Sequence, residues 1–322
     1  MRPFFIALAC TWAGITGAAI FYSQQHSPSH WIMWAALPAF LLEAVFYLGS
    51  VFAETRAWLA RLRPVRVQAV FLWFSALAPY LIFSFGTGTF QRNSFYLLAG
   101  LTAVLSFWYA LLPRRAAYDF GFLVVAAAPL VSRVFARIYR SPDEHLDIDI
   151  LGHLMWIRLG IAALLVLREW NPGAFGFWPR SREWRIGTLY YLGSIIPIVV
   201  LALGIHDVRF ELLAGPWWRV VGIGIGTFFG ILWVVALSEE LFFRGVIERA
   251  MLGRSRVGAV LVSAALYGSA HLWAHQFPNW RHAAVVAVLG IVLGMAYAQT
   301  GSVRTSMVTH AFVVATWRVF FK

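Results

Sequence analysis

Runs of about 20 apolar residues recur along this sequence from one end to the other, each long enough to cross about 30 Å of hydrocarbon as an α-helix. They lie near residues 4–23, 31–53, 67–87, 94–112, 118–136, 151–168, 186–206, 218–238, 257–274, 282–299 and 303–321. Inside a bilayer every backbone polar group must be satisfied within the protein, so only helices or closed barrels can span it. Barrel strands would alternate in polarity over about 10 residues, and these runs are continuous. The expectation is an all-α, polytopic transmembrane helical bundle of about eleven spans. Composition agrees: 61% of the residues are hydrophobic and 12% charged, where soluble domains carry about 25% charged residues.

The first run, Phe4 to Ser23, exceeds the 7–15 residues of a signal-peptide core and has no basic segment beyond Arg2, so it reads as a first span. Cys10 is the single cysteine, which excludes an internal disulfide and a cysteine metal cluster. The net charge of +12 is not gathered into one basic patch. Its arginines fall in short clusters between apolar runs, which argues for topology and phospholipid contact and against nucleic acid. Arg56, Arg61, Arg63 and Arg66 fill one loop, Arg114 and Arg115 the next alternate one. Arg168, Arg180, Arg182 and Arg185 follow, then Arg249, Arg254 and Arg256. The intervening loops are poor in basic residues. By the positive-inside rule the N-terminus and the arginine-rich loops face the cytoplasm of a multi-pass cell-membrane protein, the inner membrane in a bacterium.

Residues 1–214 form N-terminal transmembrane helices with few polar residues inside their spans. Residues 215–322, with the last four spans, carry nearly all the chemistry. An ionisable side chain within a span costs roughly 2.5–3.5 kcal/mol on insertion scales and needs a partner or a polar cavity. In Ser238-Glu239-Glu240-Leu241-Phe242-Phe243-Arg244, Glu240 and Arg244 are one turn apart and can pair. Glu239 points about 100° away and is left as a possible base. A plain interfacial salt-bridge cluster is the simpler alternative. In Tyr267-Gly268-Ser269-Ala270-His271 the tyrosine lies on the imidazole's face, one turn before it. A histidine there often just bonds a neighbouring carbonyl. His310 stands in the final span, with Ser306 one turn before it and Val314 one turn after. Gly290 and Gly294 make a small-residue face for close helix contact, followed by a Thr300-Gly301-Ser302 turn.

Glu-Glu-x-x-x-Arg, then aromatic-x-x-x-His, a Gly-x-x-x-Gly helix with its Thr-Gly-Ser turn, and His-Ala, in this order, resemble the CPBP intramembrane proteases. That family includes the type II CAAX prenyl endopeptidases and bacterial relatives in bacteriocin handling and protein sorting. The resemblance covers about residues 215–322. It implies a glutamate protease without a cofactor, in which Glu239 and His271 activate water. It also implies that Glu240 and Arg244 brace the helix and that His310 helps bind the oxyanion. The implied substrate is a membrane-anchored protein or peptide, cut near its C-terminus in a cavity open towards the cytoplasmic side. The sequence departs from the family in two places. Tyr267 stands for the more usual phenylalanine, and Val314 stands where His-x-x-x-Asn is usual. Either Ser306 or Thr309 supplies the missing donor, or activity is weakened or lost.

Two other readings compete. His271 and His275 are four residues apart, a spacing that can bind zinc, although His-Glu-x-x-His is absent. A weakened member of the fold acting as an adaptor or immunity protein is the non-enzymatic reading. A transporter would place charged residues in both halves, and Glu43, Arg133 and Arg158 are too scattered along the sequence to argue one.

Overall fold

A computed structural model describes residues 1–26, 30–143, 146–274 and 277–322. The chain divides into two compact units, Met1–Trp170 and Asn171–Lys322. The division expected at residue 214 thus falls inside the second unit. Among the described residues there is no strand, and eight helices are long and apolar enough to cross a membrane. The protein is an all-α, multi-pass membrane protein.

The first unit holds α1 (Arg2–His26), α2 (His30–Val51), α3 (Ala53–Ala60), α4 (Val65–Gly86), α5 (Arg92–Leu111), α6 (Ala116–Val131), α7 (Val134–Ile138) and α8 (Asp149–Leu167). The apolar run at 118–136 is not one helix. It breaks after Val131, where Arg133 adopts a left-handed φ of 51°, and resumes as the short α7. Glu43 of α2 and Arg158 of α8, distant in sequence, meet inside this unit. The Arg158 Nε donates to Glu43 Oε1 at 2.6 Å, and its Nη2 donates to Glu43 Oε2 at 3.1 Å and to the Ser75 carbonyl at 2.8 Å. The pair is fully engaged and buried, so it clamps α2, α4 and α8 together.

The second unit holds α9 (Ser181–Gly204), α10 (Trp217–Leu252), α11 (Arg256–Ala270), α12 (Trp280–Thr300) and α13 (Val303–Phe320). Its helices start where the sequence supplies caps: Ser255 accepts from the Gly258 amide, and Asn279 from the His282 amide. Gly301, at φ +64°, turns α12 into α13. Packing is close where glycine removes the side chain. A Cβ on Gly290 would lie 2.9 Å from the Ala264 Cα, and one on Gly268 would lie 2.6 Å from the Ala283 carbonyl oxygen. The expected Gly290 contact is therefore real, and Gly268 supplies a second one between α11 and α12. Between α9 and α13, a Cβ on Gly187 would stand 2.8 Å from the Thr305 carbonyl oxygen.

α10 is not a uniform α-helix. Residues Ile231–Val235 and Leu241–Glu248 wind as π-helix on either side of Ala236–Glu240. Such wide turns are rare and recur at functional sites. Here they bracket the two adjacent glutamates.

Candidate active site

Glu239 and Glu240 follow each other on α10 and reach different surroundings. Glu240 is fully buried. Its Oε2 lies 3.3 Å from the Arg244 Nε, and its Oε1 lies 2.9 Å from the His310 Nδ1. The pairing expected one turn apart is present, and the carboxylate has a second partner on α13 that local spacing did not reveal. Arg244, equally buried, donates from Nη2 to the Gly290 carbonyl at 3.0 Å. Its guanidinium also stacks 4.6 Å above the Tyr267 ring, a cation–π contact between α10 and α11.

Among the described residues Glu239 has no arginine partner. Its side chain keeps 30% of its exposure, against 3% for His310. It accepts a hydrogen bond from the Tyr267 hydroxyl at 3.0 Å, and its Oε2 lies 4.0 Å from the His310 Nε2. The Tyr267 oxygen is also 3.4 Å from that same nitrogen. The carboxylate accepts at Nδ1, so His310 carries a proton there. Its Nε2 then faces Glu239 and Tyr267. Three helices thus bring a free carboxylate, a phenol and an oriented imidazole within one small volume.

His271 sits one turn beyond Tyr267, its ring 4.8 Å from the phenol ring, edge to face. Its hydrogen bond goes from Nδ1 to the Tyr267 carbonyl at 2.9 Å, and not to Glu239. The histidine beside Glu239 is therefore His310, where the sequence pattern expected His271. Because a carbonyl only accepts, the Nδ1 of His271 is protonated and Nε2 is the atom left for chemistry. Its ring lies 5.9 Å from that of His282, whose Nδ1 is 3.2 Å from Asp207 Oδ2. Neither Asp207 nor His282 carried a sequence signal, since 75 residues separate them.

Of the hydroxyls expected to serve the site, Ser306 lies beside the Glu240 carboxylate, and both also bond backbone carbonyls. Ser306 donates to the Val303 carbonyl at 2.9 Å, and Thr309 to the Gly187 carbonyl at 2.9 Å. Glu248, two turns past Glu240, is fully buried and was not singled out from sequence. Neither of its carboxyl oxygens has a hydrogen-bond partner among the described residues. A Cβ on Gly294 would approach its Oε2 to 2.8 Å, so the small residue expected there makes room for a carboxyl group. His275, the second histidine of the zinc reading, lies outside the described residues. Among those described, no three of His, Cys, Asp and Glu converge on a point that could hold a metal ion.

The polar residues are sealed at one end and open at the other. Glu240, Arg244, Glu248, Ser263 and Ser306 are buried, while Glu239, His271 and His282 are partly exposed. Of the partly exposed members, His271 directly follows α11, and His282 meets Asp207 of the loop after α9.

Residues 221–316 match the family model of the type II CAAX prenyl endopeptidase Rce1-like proteins. The matched stretch contains every residue from Glu239 to His310 described above. No curated protein and no solved structure matches the chain. The matched stretch, less than a third of the chain, is thus similar to the CAAX-type membrane proteases and lies within a multi-pass membrane protein.

Proposed function

We propose that this Rce1-like region is a glutamate-type intramembrane endopeptidase. It hydrolyses a peptide bond near the C-terminus of a membrane-anchored protein or peptide. The observation that carries the reading is the unequal fate of the two adjacent glutamates. Glu240 is neutralised by Arg244 and committed to His310, whereas Glu239 is partly exposed, free of arginine and 4.0 Å from an imidazole nitrogen. A pair of carboxylates in contrasting surroundings divides structural support from general-base work.

Glu239 takes a proton from water as the water oxygen bonds to the scissile carbonyl carbon. The carbonyl oxygen becomes an oxyanion. His310, held at Nδ1 by Glu240, donates to that oxyanion from Nε2 in its imidazolium form. When the carbon–nitrogen bond breaks, the proton held by Glu239 passes to the leaving nitrogen. One water is consumed, and a carboxylate and an amine are released. Arg244 acts at a distance, by holding Glu240 and backing the Tyr267 ring.

Substrate trapping tests the reading. Expression of Glu239→Gln should cause an uncleaved membrane-anchored species to accumulate, and the wild-type chain should process it. Equal levels of every membrane protein in the two strains would contradict an endopeptidase centred on Glu239.

A further inference from the structure

The oxyanion proposed above needs donors, and α13 offers few. Val314, one turn beyond His310, has none, and the Ser306 and Thr309 hydroxyls are bonded to backbone carbonyls. A donor bonded to the proposed base rather than to backbone comes from another helix. The Tyr267 oxygen lies 3.0 Å from Glu239 Oε2 and 3.4 Å from His310 Nε2, between the proposed base and the proposed oxyanion donor. Its ring is held by its neighbours, with the Arg244 guanidinium 4.6 Å from its centroid and the Phe243 ring edge to face at 5.0 Å, while the hydroxyl can rotate.

We propose that Tyr267 is a catalytic residue whose hydroxyl donates the second hydrogen bond to the oxyanion. In the resting site that hydroxyl donates to the Glu239 carboxylate. As water transfers its proton to Glu239, the carboxylate loses its charge and becomes a poorer acceptor, and the negative charge appears on the former carbonyl oxygen. Rotation about the C–O bond lets the phenol follow the charge. The phenol forms no covalent bond and keeps its proton throughout. A donor that exchanges a weakening acceptor for a strengthening one favours the transition state over the ground state, which is the condition for raising kcat.

The inference rests on the glutamate reading, and its test separates the two. Tyr267→Phe keeps the ring, so its contacts with Arg244 and Phe243 persist and the melting temperature in detergent should stay within a few degrees of wild type. With the species trapped by Glu239→Gln as substrate, kcat should fall about 10²–10³-fold, the usual effect of losing one such donor, with KM little changed. Affinity for a peptidyl phosphonate, a tetrahedral analogue, should fall with kcat/KM, while affinity for the cleaved product should not. Val314→Asn, added to Tyr267→Phe, should recover part of the lost rate by placing a donor one turn from His310. A Tyr267→Phe rate within twofold of wild type would overturn the inference. So would a slow variant whose phosphonate affinity is unchanged, since the phenol would then act on Glu239 alone. An active Glu239→Gln variant would instead defeat the glutamate reading, and the phosphonate result would stand on its own.

Discussion

Glu240 has two roles that a double substitution can separate. It neutralises Arg244 at 3.3 Å and holds the His310 Nδ1 at 2.9 Å, with both Glu240 and Arg244 fully buried. In Glu240→Gln the amide oxygen can still accept from His310, but Arg244 loses its carboxylate at 3.3 Å and keeps the Gly290 carbonyl as its hydrogen-bond acceptor among the described residues. Removing one member of a buried ion pair costs about 3–5 kcal/mol, because the other charge is left uncompensated. In a unit of this size 1 kcal/mol moves the melting temperature by roughly 2–4 °C, so unfolding in detergent should begin on the order of 10 °C lower. Replacing both charges is a different perturbation. A buried pair exchanged for uncharged residues of similar size runs from neutral to about 1–4 kcal/mol more stable. Glu240→Gln combined with Arg244→Met should therefore melt near the wild-type temperature. Cleavage should not return with stability, because His310 still lacks its carboxylate; the rate should remain about 10²–10⁴-fold down, the range for lost acid–base assistance. Thermal unfolding of the purified variants, beside cleavage of the trapped substrate, measures both effects. A double variant as unstable as the single one, or one that cuts at the wild-type rate, would refute this division of roles.

Gly268→Ala should lower the melting temperature by the equivalent of about 1–3 kcal/mol, the usual range for overpacking, because the new methyl would meet the Ala283 carbonyl at 2.6 Å and backbone cannot yield cheaply; an unchanged melting curve would show that α11 and α12 are not in close contact. For orientation, a Cys10→Ser chain bearing Trp273→Cys should react with a membrane-impermeant maleimide in intact cells, and one bearing Arg254→Cys only after permeabilisation. Both positions are exposed, and the reverse pattern would overturn the cytoplasmic placement of the arginine-rich loops. Chelation by 1,10-phenanthroline should leave cleavage by the purified protein intact; loss of activity restored by zinc would shift the chemistry to His271 and His275.

The helices were largely legible because a span declares itself locally. Twenty consecutive apolar residues need no knowledge of their neighbours, and eight of the helices are long and apolar enough to cross a membrane, while the run at 118–136 is broken. Legibility stopped where backbone geometry departed from the regular helix. The left-handed Arg133 that ends α6 and the π segments of α10 leave no mark on hydropathy. The Glu240–Arg244 pair was readable because four residues is about one turn in either winding. The His310–Glu240 contact was not, since 70 residues separate the partners and only packing joins them. The same limit assigned Glu239 to His271 when its neighbours are Tyr267 and His310. It also made Glu43 and Arg158 look scattered when they form a buried, doubly hydrogen-bonded ion pair in the first unit. Motif order located the site, and tertiary packing decided which side chain faces which.

The central claim is that Glu239 is the base, and one comparison of rates tests it most directly. Glu239→Gln preserves the side chain's shape and an oxygen that can accept from Tyr267, and its position is partly exposed. Stability should stay within about 1 kcal/mol of wild type, as for substitutions that orphan no buried group. Purified Glu239→Gln and wild-type protein, given the trapped substrate under single-turnover conditions, should show equal melting temperatures and cleavage at least about 10²-fold slower in the variant, the minimum expected when a general base is removed. Cleavage by Glu239→Gln at near the wild-type rate would contradict the account at its centre, and Glu240 or a metal would then have to supply the base.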